Sequence, residues 1–164
     1  MCINKTDRKV SSNIWMAQST LNCDNAILIA KLIKATTPEF RKLLKFGKSV
    51  KFRVAPIKKR DVQGRYWSKS MVVELDSRQT PETAMLSLAH ELVHAEQYYQ
   101  KRLVNKWRKK QGWVSYWNGK MNCSKGATFN SYMNQPWEVE AYSRQGELVQ
   151  RVHKLMLEKI DAKK

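Results

Sequence analysis

The chain has no apolar run near the ~20 residues that a membrane span requires, so no membrane partner is expected. Its first ten residues, Met1 to Val10, lack the apolar block and small-residue cleavage site of a secretory signal. Cysteine is scarce. Cys2, Cys23 and Cys123 are odd in number, widely separated and at no zinc-knuckle spacing, which argues against a disulfide framework. They read as buried or incidental thiols of a reducing, cytoplasmic setting. Acid is also short, with 14 Asp and Glu against 31 Lys and Arg, and only three histidines are present. No internal repeat or low-complexity tract is visible.

What remains is a 164-residue chain that is 42% apolar, enough for a core and suited to one domain spanning 1–164. The net charge of +17 is uneven. Residues 1–60 carry 14 Lys/Arg against three acids, and 101–125 carry eight against none. Residues 61–100 reverse the sign, with three against six. The basic segments 1–60 and 101–125 suit polyanions such as nucleic acid, and the acidic island suits a cation.

The periodicity predicts an α+β fold. Asp24 or Asn25 caps a helix through Ile33, and Thr37-Pro38-Glu39 is a second helix start, ended by Gly47. Ser49 to Ile57 alternates as a half-buried strand. Asp61-Val62-Gln63-Gly64 is a turn, and Arg65 to Asp76 reads as the second arm of a β-hairpin. Thr80-Pro81-Glu82 opens a helix running to about Lys109. Glycines and asparagines in 111–136 predict a long loop with short strands, and a last helix runs from Pro136 through Leu157.

Two of the three histidines lie in His90-Glu91-Leu92-Val93-His94, on the helix that follows the hairpin. A spacing of four puts both imidazoles on one helix face, about 40° apart around the axis, where they can share a Zn²⁺ ion. Glu91 then sits where it can take a proton from water activated by the ion. The pattern points to metal-dependent hydrolysis.

A catalytic zinc needs a third protein ligand and one open position. The candidates are Cys123, Glu138 and Glu140. At 100° per residue, Glu138 falls on an apolar stripe with Trp137, Ala141, Leu148, Val149, Val152 and Met156, where a carboxylate needs a cation. Glu140 falls opposite and can pair with Arg144 as a solvated charge. Glu138 is therefore favoured, with Glu140 and Cys123 as alternatives. Tyr142, one turn beyond Glu138, is placed to support His90, to donate to an oxyanion, or simply to fill the core. Tyr132 is a weaker loop candidate, and His153 reads as a surface residue.

His90-Glu91-x-x-His94, followed by a glutamate on a later helix, resembles the zincin metallopeptidases of gluzincin type. The Glu138-x-x-x-Tyr142 spacing looks like their Glu-x-x-x-Asp element, with tyrosine in place of aspartate. The phrases His90-Glu91-Leu92-Val93-His94-Ala95-Glu96-Gln97 and Pro136-Trp137-Glu138-Val139-Glu140-Ala141-Tyr142 look like those of small phage-encoded SprT-like metallopeptidases. SprT-type proteases usually use a third histidine, which has no counterpart here. The resemblance covers roughly 49–157. It implies a minimal zincin-like catalytic core there and a peptidase active in the host cytoplasm if phage-encoded, while the helical part expected in 1–48 lies outside it. Zn²⁺ would be held by His90, His94 and Glu138, with Glu91 as general base and Tyr142 in support. An extended protein or peptide substrate would lie beside strand Met71–Leu75.

Other classes remain open. Lys101-Arg102, Lys106 and Arg108-Lys109-Lys110 interleave with Trp107, Trp113, Tyr116 and Trp117. That mixture suits phosphates and unpaired bases, so a DNA-binding protein with a structural or vestigial zinc site is an alternative. A virion-associated or scaffold protein that keeps zinc for folding is a third.

Overall fold

The computed structural model describes residues 3–47, 49–59, 62–122 and 129–162. Strands β1 (Arg8–Ser11) and β2 (Ile14–Met16) lead through a short 3-10 turn into helix α1 (Asp24–Leu44). Then come β3 (Lys51–Ala55), β4 (Gly64–Trp67), β5 (Val72–Asp76) and α2 (Pro81–Tyr99). Strands β6 (Leu103–Arg108), β7 (Gly112–Trp117) and β8 (Lys120–Asn122) precede helices α3 (Phe129–Met133) and α4 (Pro136–Asp161). The expected α+β class is what the chain adopts.

The main sheet runs β1-β2-β3-β5-β4. β1 and β4 are its antiparallel edges, while β2, β3 and β5 run parallel. This corrects the predicted hairpin. Ser49–Ile57 and Arg65–Asp76 are not two antiparallel arms, because the second stretch is itself the hairpin β4–β5, turned near Met71 at φ 52°. β3 lies parallel to β5. The N-terminal part is also not wholly helical, since β1 and β2 enter the same sheet.

Helix α1 lies over β2 and β3, α2 over β4 and β5, and α4 packs on both helices. Their shared core includes Ile29, Ile33 and Phe40 of α1, Phe52, Val54, Val73 and Leu75 of the sheet, Leu88, Leu92 and Val93 of α2, and Leu148 and Val152 of α4. The sheet also carries a charged row. Glu74 pairs across the strands with Arg53 and Arg65, and Arg53 holds Asp7 at 2.7 Å. The alternation read for β3 thus holds for Phe52 and Val54, while Arg53 is buried by its partners.

Two helix boundaries differ from expectation. α1 is continuous, with Pro38 inside it rather than at a new start. Ile33, Phe40 and Leu44 share one buried stripe, and Pro38 faces solvent, where the carbonyl deprived of its donor can be hydrated. α2 stops at Tyr99 rather than near Lys109. Lys101 is left-handed at φ 59°, and Leu103–Arg108 pairs with β7, including Trp107 opposite Trp113. The short strands expected within 111–136 are β7 and β8, which join β6 in a three-stranded sheet.

Candidate metal centre

Thr80 caps α2 by accepting from Thr83 N–H at 3.3 Å, with Pro81 at the first helical position, as its sequence suggests. From Leu88 to Gln97 every residue is buried, because the sheet covers one side of this helix and α4 the other. His90, Glu91 and His94 therefore face the interior. Pro136 opens α4, placing buried Glu138 in its first turn, where the positive end of the helix dipole favours a carboxylate.

Among the described residues, His90, His94 and Glu138 form a group able to hold a metal ion. His90 Nε2 lies 3.1 Å from His94 Nε2 and 3.2 Å from Glu138 Oε2, and His94 Nε2 is 3.4 Å from Glu138 Oε1. The opposite edges of both rings are engaged. His90 Nδ1 donates to Gln145 Oε1 at 3.0 Å, and His94 Nδ1 to Gln97 Oε1 at 2.8 Å. With both Nδ1 atoms donating, two Nε2 lone pairs and a carboxylate converge on one point. Such a trio of acceptors requires protons or a cation between them, so the chemistry of the donor set fits a metal.

Without a metal, protons fill that need. Burial disfavours the charged form of His94, but its hydrogen bond to Glu138 and the charge of Glu91 outweigh this and push it up to about 9. Burial raises Glu138, yet bonds from His90, His94 and Tyr132 hold it down at about 2. Glu91 is moved upward by desolvation, against the pull of the two histidines. Its carboxyl accepts the backbone N–H of Tyr66 on β4, and Gly64 packs directly against it. A carboxyl made more basic than usual thus sits beside the cation site.

Both lie at the floor of a cleft of about 900 Å³ whose walls include Gly64, Tyr66, Leu86, Tyr132, Trp137 and Tyr142. Tyr142 packs edge-on against the His90 ring, with centroids 4.5 Å apart, and is 46% exposed. The bond that orients His90 comes from Gln145, not from Tyr142. The Tyr132 hydroxyl reaches the Glu138 carboxylate and is driven upward by burial and by that charge.

Glu140 lies outside the metal group, as its helical phase suggested, but it is no solvated charge. It accepts from Arg102 at 2.5 Å and Arg144 at 2.6 Å, and both arginines also hold Glu96. Cys123 lies outside the described residues. Cys23 is exposed rather than buried, and His153 is exposed as expected. Sequence reasoning missed Gln97 and Gln145. The signal available for each was its spacing, three residues after His94 and seven after Glu138.

A second surface adjoins the cleft. Asn105 and Ser115 line it and are bonded at 2.9 Å. By strand alternation Trp107 and Trp113 share their face, forming an edge-to-face pair that is 64% and 55% exposed. Lys69 stands over Trp113 at 4.6 Å. No helix among the described residues is long and apolar enough to cross a membrane. No family model, curated protein or solved structure matches the chain.

Proposed function

We propose that the protein is a zinc-dependent metallopeptidase, acting in the cytoplasm (the host's, if it is phage-encoded). The observation that carries this reading is the convergence of His90, His94 and Glu138 beside buried Glu91 in an open cleft. Two imidazoles and a carboxylate are the donor set of many catalytic zinc sites, and bonds of 2.0–2.2 Å in a tetrahedron space ligand atoms about 3.3 Å apart. The two Nε2 atoms are 3.1 Å apart, and each lies 3.2 or 3.4 Å from one of the two oxygens of Glu138.

Bound zinc supplies Lewis acidity, polarising a carbonyl and making water acidic near neutral pH. The chain's own residues do the rest. Glu91, its carboxyl raised by burial, accepts the proton of the attacking water and returns it to the departing amine. The hydroxyl of Tyr142 is a cleft group able to donate to a developing oxyanion, while that of Tyr132 is bonded to Glu138. The substrate strand expected beside Met71–Leu75 is placed elsewhere, because β5 is paired on both sides. β4, an edge strand of the sheet among the described residues, lines the cleft and is where an extended peptide can add.

The test is metal content by plasma mass spectrometry alongside a screen of protein substrates. One zinc per chain is expected in the wild type and in Glu91→Gln, with none retained by Glu138→Ala. Hydrolysis is expected in the wild type alone. A wild type that takes up no zinc after reconstitution would overturn the reading.

Exposed Trp107 and Trp113, flanked by Lys69 and the cations of 101–125, favour a second reading, association with single-stranded nucleic acid. The two readings are compatible, since a peptidase carrying such a surface could act on nucleic-acid-bound proteins. Salt-dependent binding without hydrolysis would leave the second reading alone.

A further inference from the structure

Gln97 is fully buried and is bonded to both halves of the metal centre. We propose that it is the positioning residue of the site: one amide sets which nitrogen His94 offers to the metal and where α4 holds Glu138. This deepens the metallopeptidase reading and rests on it.

The argument begins with the amide's two different edges. A glutamine side chain has an NH₂ that only donates and an oxygen that only accepts. Gln97 Nε2 lies 3.0 Å from the Trp137 carbonyl and 3.3 Å from Glu140 Oε2. Both are acceptors, so the NH₂ must face them. A flipped amide would oppose its oxygen to a carbonyl and a carboxylate. The orientation is thereby locked, and Oε1 is left facing His94 Nδ1 at 2.8 Å. That ring nitrogen must carry the proton, which commits Nε2 of His94 to the side where His90 and Glu138 converge.

The same amide grips α4 at the residue just before Glu138, through the Trp137 carbonyl. Its second acceptor, Glu140, is itself fixed by Arg102 and Arg144, which also clasp Glu96 on α2. Gln97 thus ties His94 on one helix to the ligand-bearing turn of the other, against a charged anchor that cannot easily shift. Gln145 accepts from His90 Nδ1 in the same way but, among the described residues, makes no donation to the turn that carries Glu138.

The contrast yields the test. Gln97→Glu keeps an acceptor toward His94, and a stronger one, but loses both donations and faces Glu140 with like charge. Gln145→Glu keeps the acceptor that His90 needs. Zinc affinity of the full chain would be measured by chelator competition for wild type, Gln97→Glu, Gln97→Met, Gln145→Glu and Glu140→Gln. Melting of each metal-free protein and the visible spectrum of its cobalt-loaded form would accompany it.

We expect Gln97→Glu and Gln97→Met to lose tenfold or more in affinity, with altered cobalt bands. Gln145→Glu should bind at least as tightly as wild type. Glu140→Gln loosens the same helix contact without touching His94, so it should lower the melting temperature with a smaller loss of affinity. Gln97→Glu binding zinc as tightly as wild type, or all variants losing affinity in proportion to melting temperature, would overturn the proposal alone. A wild type that binds no zinc would overturn it together with the metal centre.

Discussion

At Gly64 a Cβ would stand 3.1 Å from Glu91 Cγ and 3.2 Å from its Oε1, closer than ordinary packing allows. Gly64→Ala should therefore displace the proposed base. Expected is a fall in kcat of tenfold or more, with zinc content unchanged and stability altered by about 1 kcal/mol or less, read by assay and urea titration. Residues of this kind divide by how far their placement can be read in sequence. His90, His94 and Glu91 are legible because a spacing of four has one meaning on a helix. Glu138 could be separated from Glu140 because helical phase sorts a buried face from its opposite. Gln97 and Gln145 were not legible, since their partners lie on another helix. Tyr142 was legible as a neighbour of His90, but not as a ring contact in place of a hydrogen bond.

Among the elements, α1 carries Pro38 in its interior at the cost of a backbone bond. Pro38→Ala should raise stability by roughly 1–3 kcal/mol, seen as a higher urea midpoint with an unchanged slope. The α2–α4 contact makes the opposite case. Glu140→Gln would leave Arg102 and Arg144 half-buried with a weaker partner and should destabilise by about 1–3 kcal/mol. The carboxyl of Glu140 is lowered because bonds from the two arginines outweigh the effect of burial. Its stabilisation is therefore complete above the usual carboxylate value near 4.5 and is lost as pH falls through the lowered folded value. Urea midpoints from pH 7 to 3 should fall in wild type, and less steeply in Glu140→Gln. Element boundaries were legible at Thr80-Pro81 and Pro136, but the same kind of signal failed at Thr37-Pro38, which α1 runs through. They were misread where pairing overrode pattern. The β6–β7 ladder claims residues read as helix, and β1 and β2 gain their meaning from β3, far along the chain.

For the whole molecule, the net charge of +17 and the paired tryptophans make one prediction together. A single-stranded oligonucleotide should bind with affinity that falls steeply as salt rises from 50 to 200 mM. Trp107→Ala with Trp113→Ala should weaken binding by about 1–3 kcal/mol per stacked base without changing the salt slope. Fluorescence titration at several salt concentrations reads both quantities. The α+β class was legible as a whole, whereas strand order was not, because parallel neighbours separated by a helix leave no local mark. The split of the metal centre between two helices also has a temporal side. Forty-eight positions separate His90 from Glu138, so a ribosome adding roughly 5–20 residues per second exposes the paired histidines seconds before the carboxylate that would join them. During synthesis the growing chain thus passes through an interval without the full candidate ligand set, and the proposed hydrolytic competence would arrive only with the last long helix.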